Sequence, residues 1–489
     1  MGFHQFLNLS STINGFLFCR NGCCFAIVSI VLSCIYCEGR AARLESSIVY
    51  PKVHETRDIK LLRVNKALTL TLERTSTILG DTLTLLEDNG DGIRSQVIST
   101  DSIKRGLYQD VKHAASVHLE ENGNRVIVEG ILGSKLRIEP VRGLSERGDE
   151  AVAHRVYTVE AAETYVGDAV HSPSTTHGIA LSEREDFADS VLADVCIVVD
   201  SVHNNTIIKS GKNLHVYITI LMNAVNMRYG QLKRPGFQIK LQCIMRLSDR
   251  QERIKFNLQG NSFEYQDFLP QFVEYISSDT FMRYGAVFLF TGRNMLGRAG
   301  TSTTGVAYLG TLCTEHRVGI AEDIPGTYSA VRTASHEMLH IVGVLHDGVS
   351  PPSSEPGHPG ARSCSATDHI MAPRGSAKNS HVLSRCTKQQ LAFFFMNHDQ
   401  RCWKSFSGTL TFVRRRLPGS QITVTAFCKM VHKNGKSGVL HRNCSVKCEP
   451  SPPNKGFYAG LDGWSCGDRK MCITGRCLKK EDVVRILID

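Results

Sequence analysis

Residues 336–347 read HEMLHIVGVLHD, with three histidines, two acids and one glycine among apolar positions. His336 and His340 are four residues apart, a spacing that an α-helix brings onto one face, one turn above the other. Two imidazoles so placed can share a metal ion. His346 lies six residues beyond His340, about 240° around a continuing helix at roughly 100° per residue, so it reaches the same ion only where the helix stops. Gly343 offers that stop, because glycine most readily takes the left-handed conformation that closes a helix.

Three neutral imidazoles and a water match the open tetrahedral site of a catalytic zinc, which lowers the pKa of its bound water to roughly 7. Glu337 follows the first histidine and lies about 100° around the helix from it, so its carboxylate can take the water's proton and pass it to a leaving amine. Met338, Leu339, Ile341 and Val342 fall on the remaining faces and anchor the helix in a core. The bland alternative is a core helix with satisfied histidines, a fair competitor for a bare HExxH. The longer HExxHxxGxxHD pattern fixes six positions at about one in twenty each, which gives on the order of 10⁻⁵ chance matches over a chain this long.

A chain of 489 residues holds two or three domains with sizeable cores. With 42% apolar and 21% charged residues, wholesale disorder is excluded. The net charge of +10 is moderate and allows at most contact with acidic glycans or anionic surfaces. No nucleic-acid module is recognisable, and Arg414–Arg416 reads as a solvated loop.

One apolar run, CFAIVSIVLSCIYC at 24–37, follows Arg20. It is short for a membrane span and suits a signal peptide cleaved near residues 37–39, with an uncleaved anchor as the alternative. No second apolar segment of spanning length follows. Five cysteines lie in this leader, none between 38 and 195, and twelve between 196 and 489. An even number in a secreted chain implies a disulfide framework and an oxidising, extracellular compartment. Asn204 and Asn443 stand in glycosylation sequons.

The organisation expected is a signal peptide (1–39), a β-rich segment (40–186), an α/β domain (187–404) and a cysteine-rich module (405–489). In the second segment ALTLTLE alternates with period two, and VHLEENGNRVIVEG reads as a hairpin turning at Asn122-Gly123. From 187 strands and helices alternate: DVCIVVD, a helix with a stripe of Leu214, Ile218, Leu221 and Val225, GFQIKLQCIMRL, GAVFLF, TGVAYLG, and a closing helix TKQQLAFFFMNH. The module beyond 404 has too few apolar residues for a strong core and needs its six cysteines.

YGAVFLFTGRNMLGRAGTSTTGVAYLGTLC at 284–313, the histidine helix, and DHIMAP at 368–373 together resemble the reprolysin, or adamalysin, branch of the metzincin zinc proteases. Asp347 after the third histidine points to this branch, and the short build is most similar to salivary metalloproteases of ticks. The resemblance implies a mixed twisted sheet with helices, a β-rich prodomain before it, and zinc on His336, His340 and His346 with Glu337 as general base. It further implies a Met-turn at Met371, a supporting role for Asp347, and TGVAYLG as the edge strand on which substrate adds as an antiparallel strand. Pairs Cys313–Cys402 and Cys364–Cys386 follow from the family, with Cys196 and Cys243 left as the third pair.

Two departures stand out. The prodomain-like segment has no cysteine, so the family's thiolate switch is missing, and no RxxR site precedes residue 187. Tyr284-Gly285 stands where relatives carry an acidic calcium ligand, which leaves a structural calcium doubtful. Arg147-Gly148-Asp149 and the two histidines of HSPSTTHG lack the context of a site, and EDNGDG at 87–92 reads as a turn, since the twelfth loop position is Ile98. The function expected is that of a secreted zinc endopeptidase acting on extracellular proteins. The rival is a secreted binding or adhesive protein that works through its cysteine-rich tail.

Overall fold

The computed structural model describes residues 46–479 apart from 56–58, 142–150, 160–168, 172–189, 233–235, 374–380, 398–402, 407–418, 432–435, 450–456 and a few shorter gaps. The expected leader, Arg147–Asp149, Arg414–Arg416 and Cys402 lie outside these residues.

Eight strands matter to the site: β1 (Leu79–Asp88), β2 (Ile93–Ser99), β3 (Ala169–His171), β4 (Ser190–Val199), β5 (Gly236–Leu247), β6 (Ala286–Thr291), β7 (Gly305–Tyr308) and β8 (Val318–Glu322). They are hydrogen-bonded in the order β3-β7-β8-β6-β4-β5-β1-β2. The central β5, β4, β6 and β8 run parallel, and β7 is antiparallel to β8. The near-continuous apolar run of β4 has the reason expected of a parallel sheet, burial on both faces. Val191, Ala193, Val195, Ile197 and Val199 enter one core, whereas Cys196 and Val198 enter another.

Helices α1 (Leu214–Tyr229) and α3 (Val331–Ile341) pack on the first face and α2 (Tyr265–Tyr275) on the second. A fourth helix, α4 (Arg385–Asn397), contributes Leu391, Phe394 and Phe395 to the first core. Asn213 caps α1 by accepting from the backbone N–H of His215 and Val216. The expected apolar stripe of α1 is buried, but so are Tyr217, Ile220 and Met222 around it. The residues before 172 cover the side of α1 that the sheet does not.

Those residues form an antiparallel nine-stranded sheet, with strands 46–49, 154–158, 136–140, 125–132, 115–122, 107–110, 69–74, 60–63 and 52–55 in that order. The hairpin turns at Gly123, whose φ of 59° is open to glycine. The sequence reading treated the segment as a β-rich unit before the α/β domain; the structure interleaves the two. Its β1–β2 hairpin, turning through EDNGDG, leaves the N-terminal sheet and adds β1 in parallel to β5. Leu79, Leu83, Ile103, Leu107 and Ile131 sit in the same core as α1 and α3. Polar contacts seal this junction, with Ser116 Oγ donating to Ile220 O at 3.0 Å and Asn223 Nδ2 to Ser116 Oγ at 3.1 Å.

Disulfides join Cys196 to Cys243 across β4 and β5, and Cys364 to Cys386 at the start of α4. Cys313 is disulfide-bonded as well. The tail is held by Cys428–Cys448, Cys444–Cys472 and Cys466–Cys477 around Phe427 and Trp464, and Ile59 and Leu61 of the N-terminal region complete its core. Among the described residues no helix is long and apolar enough to cross a membrane.

His154 of the N-terminal sheet is fully buried; its Nδ1 donates to Val152 O at 2.9 Å and its Nε2 accepts from Val128 N at 3.0 Å. Burial lowers its pKa to about 4, only partly opposed by the Val152 carbonyl. The unfolded chain therefore binds this proton more readily than the folded one, so stability is complete above about pH 6.5 and falls as pH drops toward 4, by up to about 3 kcal/mol. Thermal melts from pH 7 to 4.5 are expected to slope downward, and to slope less in His154→Gln.

Candidate functional site

The histidine helix is fixed at its start from a neighbouring strand. No side chain caps α3 locally. Asp323, just past β8, supplies the acceptor, its Oδ1 receiving Ser329 Oγ and Ala330 N, each at 3.0 Å. Its Oδ2 accepts from Tyr217 OH at 2.7 Å and lies 2.9 Å from His203 Nε2, so α1 and α3 share one buried carboxylate. Residues of the N-terminal region grip the loop before α3: Arg137 Nε donates to Thr327 O at 2.7 Å and Tyr157 OH to Gly326 O at 3.1 Å.

The end of α3 follows the glycine logic of the sequence. Gly343 has φ 77°, its N–H donates to His340 O at 2.9 Å, and Val344 N donates to Leu339 O at 2.9 Å. This pair of bonds is the Schellman closure of a helix. A second reason for glycine comes from packing, since a Cβ there would lie 2.6 Å from Phe394 Cδ2 of α4. The same helix holds the descending loop, with Gln390 Oε1 accepting from Leu345 N at 2.9 Å. Neither Phe394 nor Gln390 carried any signal in the sequence beyond membership of an amphipathic helix.

With the chain so turned, the Nε2 atoms of His336, His340 and His346 converge at 3.0, 3.1 and 3.1 Å from one another. His336 Nδ1 bonds Ile370 O and His340 Nδ1 bonds Val344 O, each at 2.7 Å. A carbonyl only accepts, so both Nδ1 atoms carry the proton and both Nε2 atoms present lone pairs. Burial, then the neighbouring His346 and His336, hold His340 well below the usual histidine range. Lone pairs on neutral imidazoles meeting in a buried space repel one another unless a cation lies among them. The donor set and its spacing fit a tetrahedral zinc, whose nitrogen ligands stand roughly 3.3 Å apart.

Glu337 is fully buried beside this cluster, between α3 and β7. A Cβ at Gly305 would lie 2.4 Å from Glu337 Oε1 and 2.5 Å from Thr333 Cγ2, so the strand approaches the helix only because residue 305 is glycine. Met371 is fully buried in the α3 core, and its carbonyl accepts from Asp347 N at 2.9 Å. Asp347 Oδ1 accepts from Ser384 Oγ at 2.7 Å, and Ser384 also caps α4 through Thr387 N at 3.0 Å. Burial pushes the Asp347 carboxyl up, against the pull of Ser384, His369 and His346. His336, His340, His346, Glu337, Asp347 and Met371 thus sit together, whereas the Cys196–Cys243 bridge lies in the second core.

Alanine at position 343 would have to hold a left-handed conformation costing roughly 1–3 kcal/mol and displace Phe394. Gly343→Ala is expected to lower Tm and to leave purified protein with less zinc, read by metal analysis, because His346 no longer reaches the other two imidazoles.

Residues 192–405 match the family described as Reprolysin (M12B) family zinc metalloprotease. Venom metalloproteinase BumaMPs1 of Olivierus martensii is 25% identical over 365 residues, covering 70% of this chain and 88% of its own. Venom metalloproteinase antarease TserMP_A of Tityus serrulatus is 26% identical over 383 residues, covering 73% and 92%. A disintegrin and metalloproteinase with thrombospondin motifs like protein of Bombyx mori is 25% identical over 315 residues, covering 60% of this chain and 45% of its own. The convergent imidazoles, the glycine-closed helix and this match over residues 192–405 make that part of the chain a reprolysin-type metzincin domain, and the protein a zinc metalloendopeptidase.

Proposed function

We propose that this protein is a secreted endopeptidase in which the Nε2 atoms of His336, His340 and His346 hold one zinc ion and Glu337 is the general base. The observation that carries the reading is the meeting of three imidazole Nε2 atoms within 3.1 Å, those of His336 and His340 bearing lone pairs, with the Glu337 carboxylate buried alongside. Zinc bound there supplies Lewis acidity toward the scissile carbonyl and acidifies a water. The chain's own contribution is geometric and protonic. Ile370 and Val344 carbonyls orient two ligands, Asp347 and Met371 tie the third ligand's loop to the segment beneath His336, and a Glu337 oxygen receives the water's proton and returns it to the leaving amine.

Substrates in this reading are extended segments of extracellular proteins, matrix or haemostatic ones among them, laid antiparallel on β7. Secretion accords with the apolar leader and with five disulfides among the described residues. Glu337→Ala is expected to keep its zinc while losing about 10²–10⁴-fold in peptide turnover, the usual share of general acid–base catalysis. Undiminished turnover by the zinc-loaded variant would overturn the assignment.

A second activity, surface attachment through the tail, is favoured by the distribution of charge. Residues 405–489 hold 15 Lys and Arg against 6 Asp and Glu, so +9 of the chain's +10 resides there. In the hairpin that ends the described tail, Lys470 and Lys479 are exposed and directly opposite each other, a like-charge pairing that costs stability without an anion. The fitting partner is an acidic glycan. The full chain is expected to be retained on an immobilised sulfated polysaccharide and released by salt. Lys470→Glu with Lys479→Glu should elute earlier with unchanged cleavage of a short peptide; identical elution of the two proteins would rule this surface out.

A further inference from the structure

The tail holds few apolar residues for a core, yet it spends two large ones on its outside. Its strands Ser437–Leu440, Ser445–Glu449 and Phe457–Ala459 form an antiparallel sheet. Side chains alternate between the two faces of such a sheet. Val446, Cys448 and Tyr458 turn inward to the core around Phe427 and Trp464. On the other face Val439, Lys447 and Phe457 form one row, Val439 opposite Lys447 and Lys447 opposite Phe457. Val439 is 55% exposed and Phe457 53%. The His441 ring lies 5.6 Å from that of Phe457, centroid to centroid, and extends this face toward the hairpin tip.

Asn443 stands at that tip. His441 N donates to Ser445 O at 2.8 Å and Cys444 N to His441 O at 2.9 Å, and the Cys444–Cys472 disulfide pins the turn. The exposed Asn443 turns its Oδ1 back to accept from Ser445 N at 3.1 Å and from Ser445 Oγ at 2.7 Å. This Asx turn joins the first and last residues of the sequon Asn443-Cys444-Ser445. With Oδ1 committed to Ser445, the amide nitrogen is the end directed away from it.

We propose that Asn443 Nδ2 carries an N-linked glycan whose inner sugars lie over the face made by Val439, His441 and Phe457. The proposal rests on the reading of a secreted chain, because the donor, an oligosaccharide on a polyprenyl pyrophosphate, belongs to the secretory pathway. The bond formed joins sugar C1 to Nδ2, the bond broken joins C1 to a pyrophosphate oxygen, and Nδ2 gives up one proton. One face of a pyranose ring presents mainly C–H bonds of partial positive charge, and an aromatic face carries partial negative charge, so the two stack. Three strands at roughly 4.8 Å spacing make the seat about 10 Å across, broad enough for the first sugar rings. Sugars placed there cover apolar atoms whose exposure otherwise favours association.

The second sequon has a different setting. Asn204 lies within the helix Ser201–Lys209, its Oδ1 is buried, and the Thr206 hydroxyl donates to Val202 O at 2.8 Å. A sugar on Nδ2 would have to leave from beside that buried oxygen, so Asn204 stays bare in the folded chain.

The full chain is made in insect cells, and its glycopeptides are mapped by mass spectrometry. Expected is a chain in the medium with one glycan, on Asn443, that Ser445→Ala loses and Ser445→Thr keeps. A secreted chain bare at Asn443, or glycosylated at Asn204, overturns the assignment and leaves secretion standing. A bare chain confined to the cytosol overturns both. Hydroxyl-radical labelling before and after enzymatic deglycosylation of the native protein then reads the face. Expected is a several-fold rise at His441 and Phe457 on deglycosylation, with the inward Tyr458 unchanged. High labelling in both forms places the glycan elsewhere. Low labelling in both gives the face to another occupant, a second copy of this chain where light scattering shows twice the mass. Either result overturns the seat.

Discussion

Everything in the site depends on keeping three imidazole Nε2 atoms within about 3 Å of one another. Neutral nitrogens do not hold such an arrangement on their own, so the surrounding structure must impose it. Backbone carbonyls of Ile370 and Val344 orient two rings. The left-handed turn at Gly343 brings in the third, and α4 braces that turn through Phe394 and Gln390. A tetrahedral cation converts the resulting repulsion into binding energy, which is why this framework suits a metal and little else.

The same requirement explains the polar network around Asp323. A helix that must place its side chains to a fraction of an ångström cannot be left frayed at either end. At its start a buried carboxylate accepts from the Ser329 hydroxyl and the Ala330 amide just before α3, and also from Tyr217 of α1. At its end the Schellman bonds do so. The N-terminal region bears on this frame from outside, through Arg137 and Tyr157.

Much of the site was legible from residues alone. The 336–347 pattern named the imidazoles, the acid and the glycine because a helix converts sequence spacing into angular position with few alternatives. Strands such as DVCIVVD were readable because burial on both faces leaves no polar positions. The β1–β2 hairpin was missed as part of the catalytic sheet, although TLTLLEDNGDGIRSQVIS alternates around a turn. Periodicity marks a strand but does not say which sheet it joins. The stripe on α1 likewise marked one buried face, and only the second layer of protein explained the burial of the other.

Sequence by itself therefore determined the constellation: three imidazoles at a spacing that can hold a metal, the helix stop and the carboxylate beside the first histidine, all within twelve residues governed by local geometry. Tertiary structure decided what faces that chemistry. Gly305 reads as an ordinary strand residue until Glu337 is seen 2.4 Å from where a side chain would be. Residues 169–171 carry no motif at all, yet they lie along β7. Contacts between segments tens to more than a hundred residues apart depend on the closure of the chain, and no local spacing encodes them.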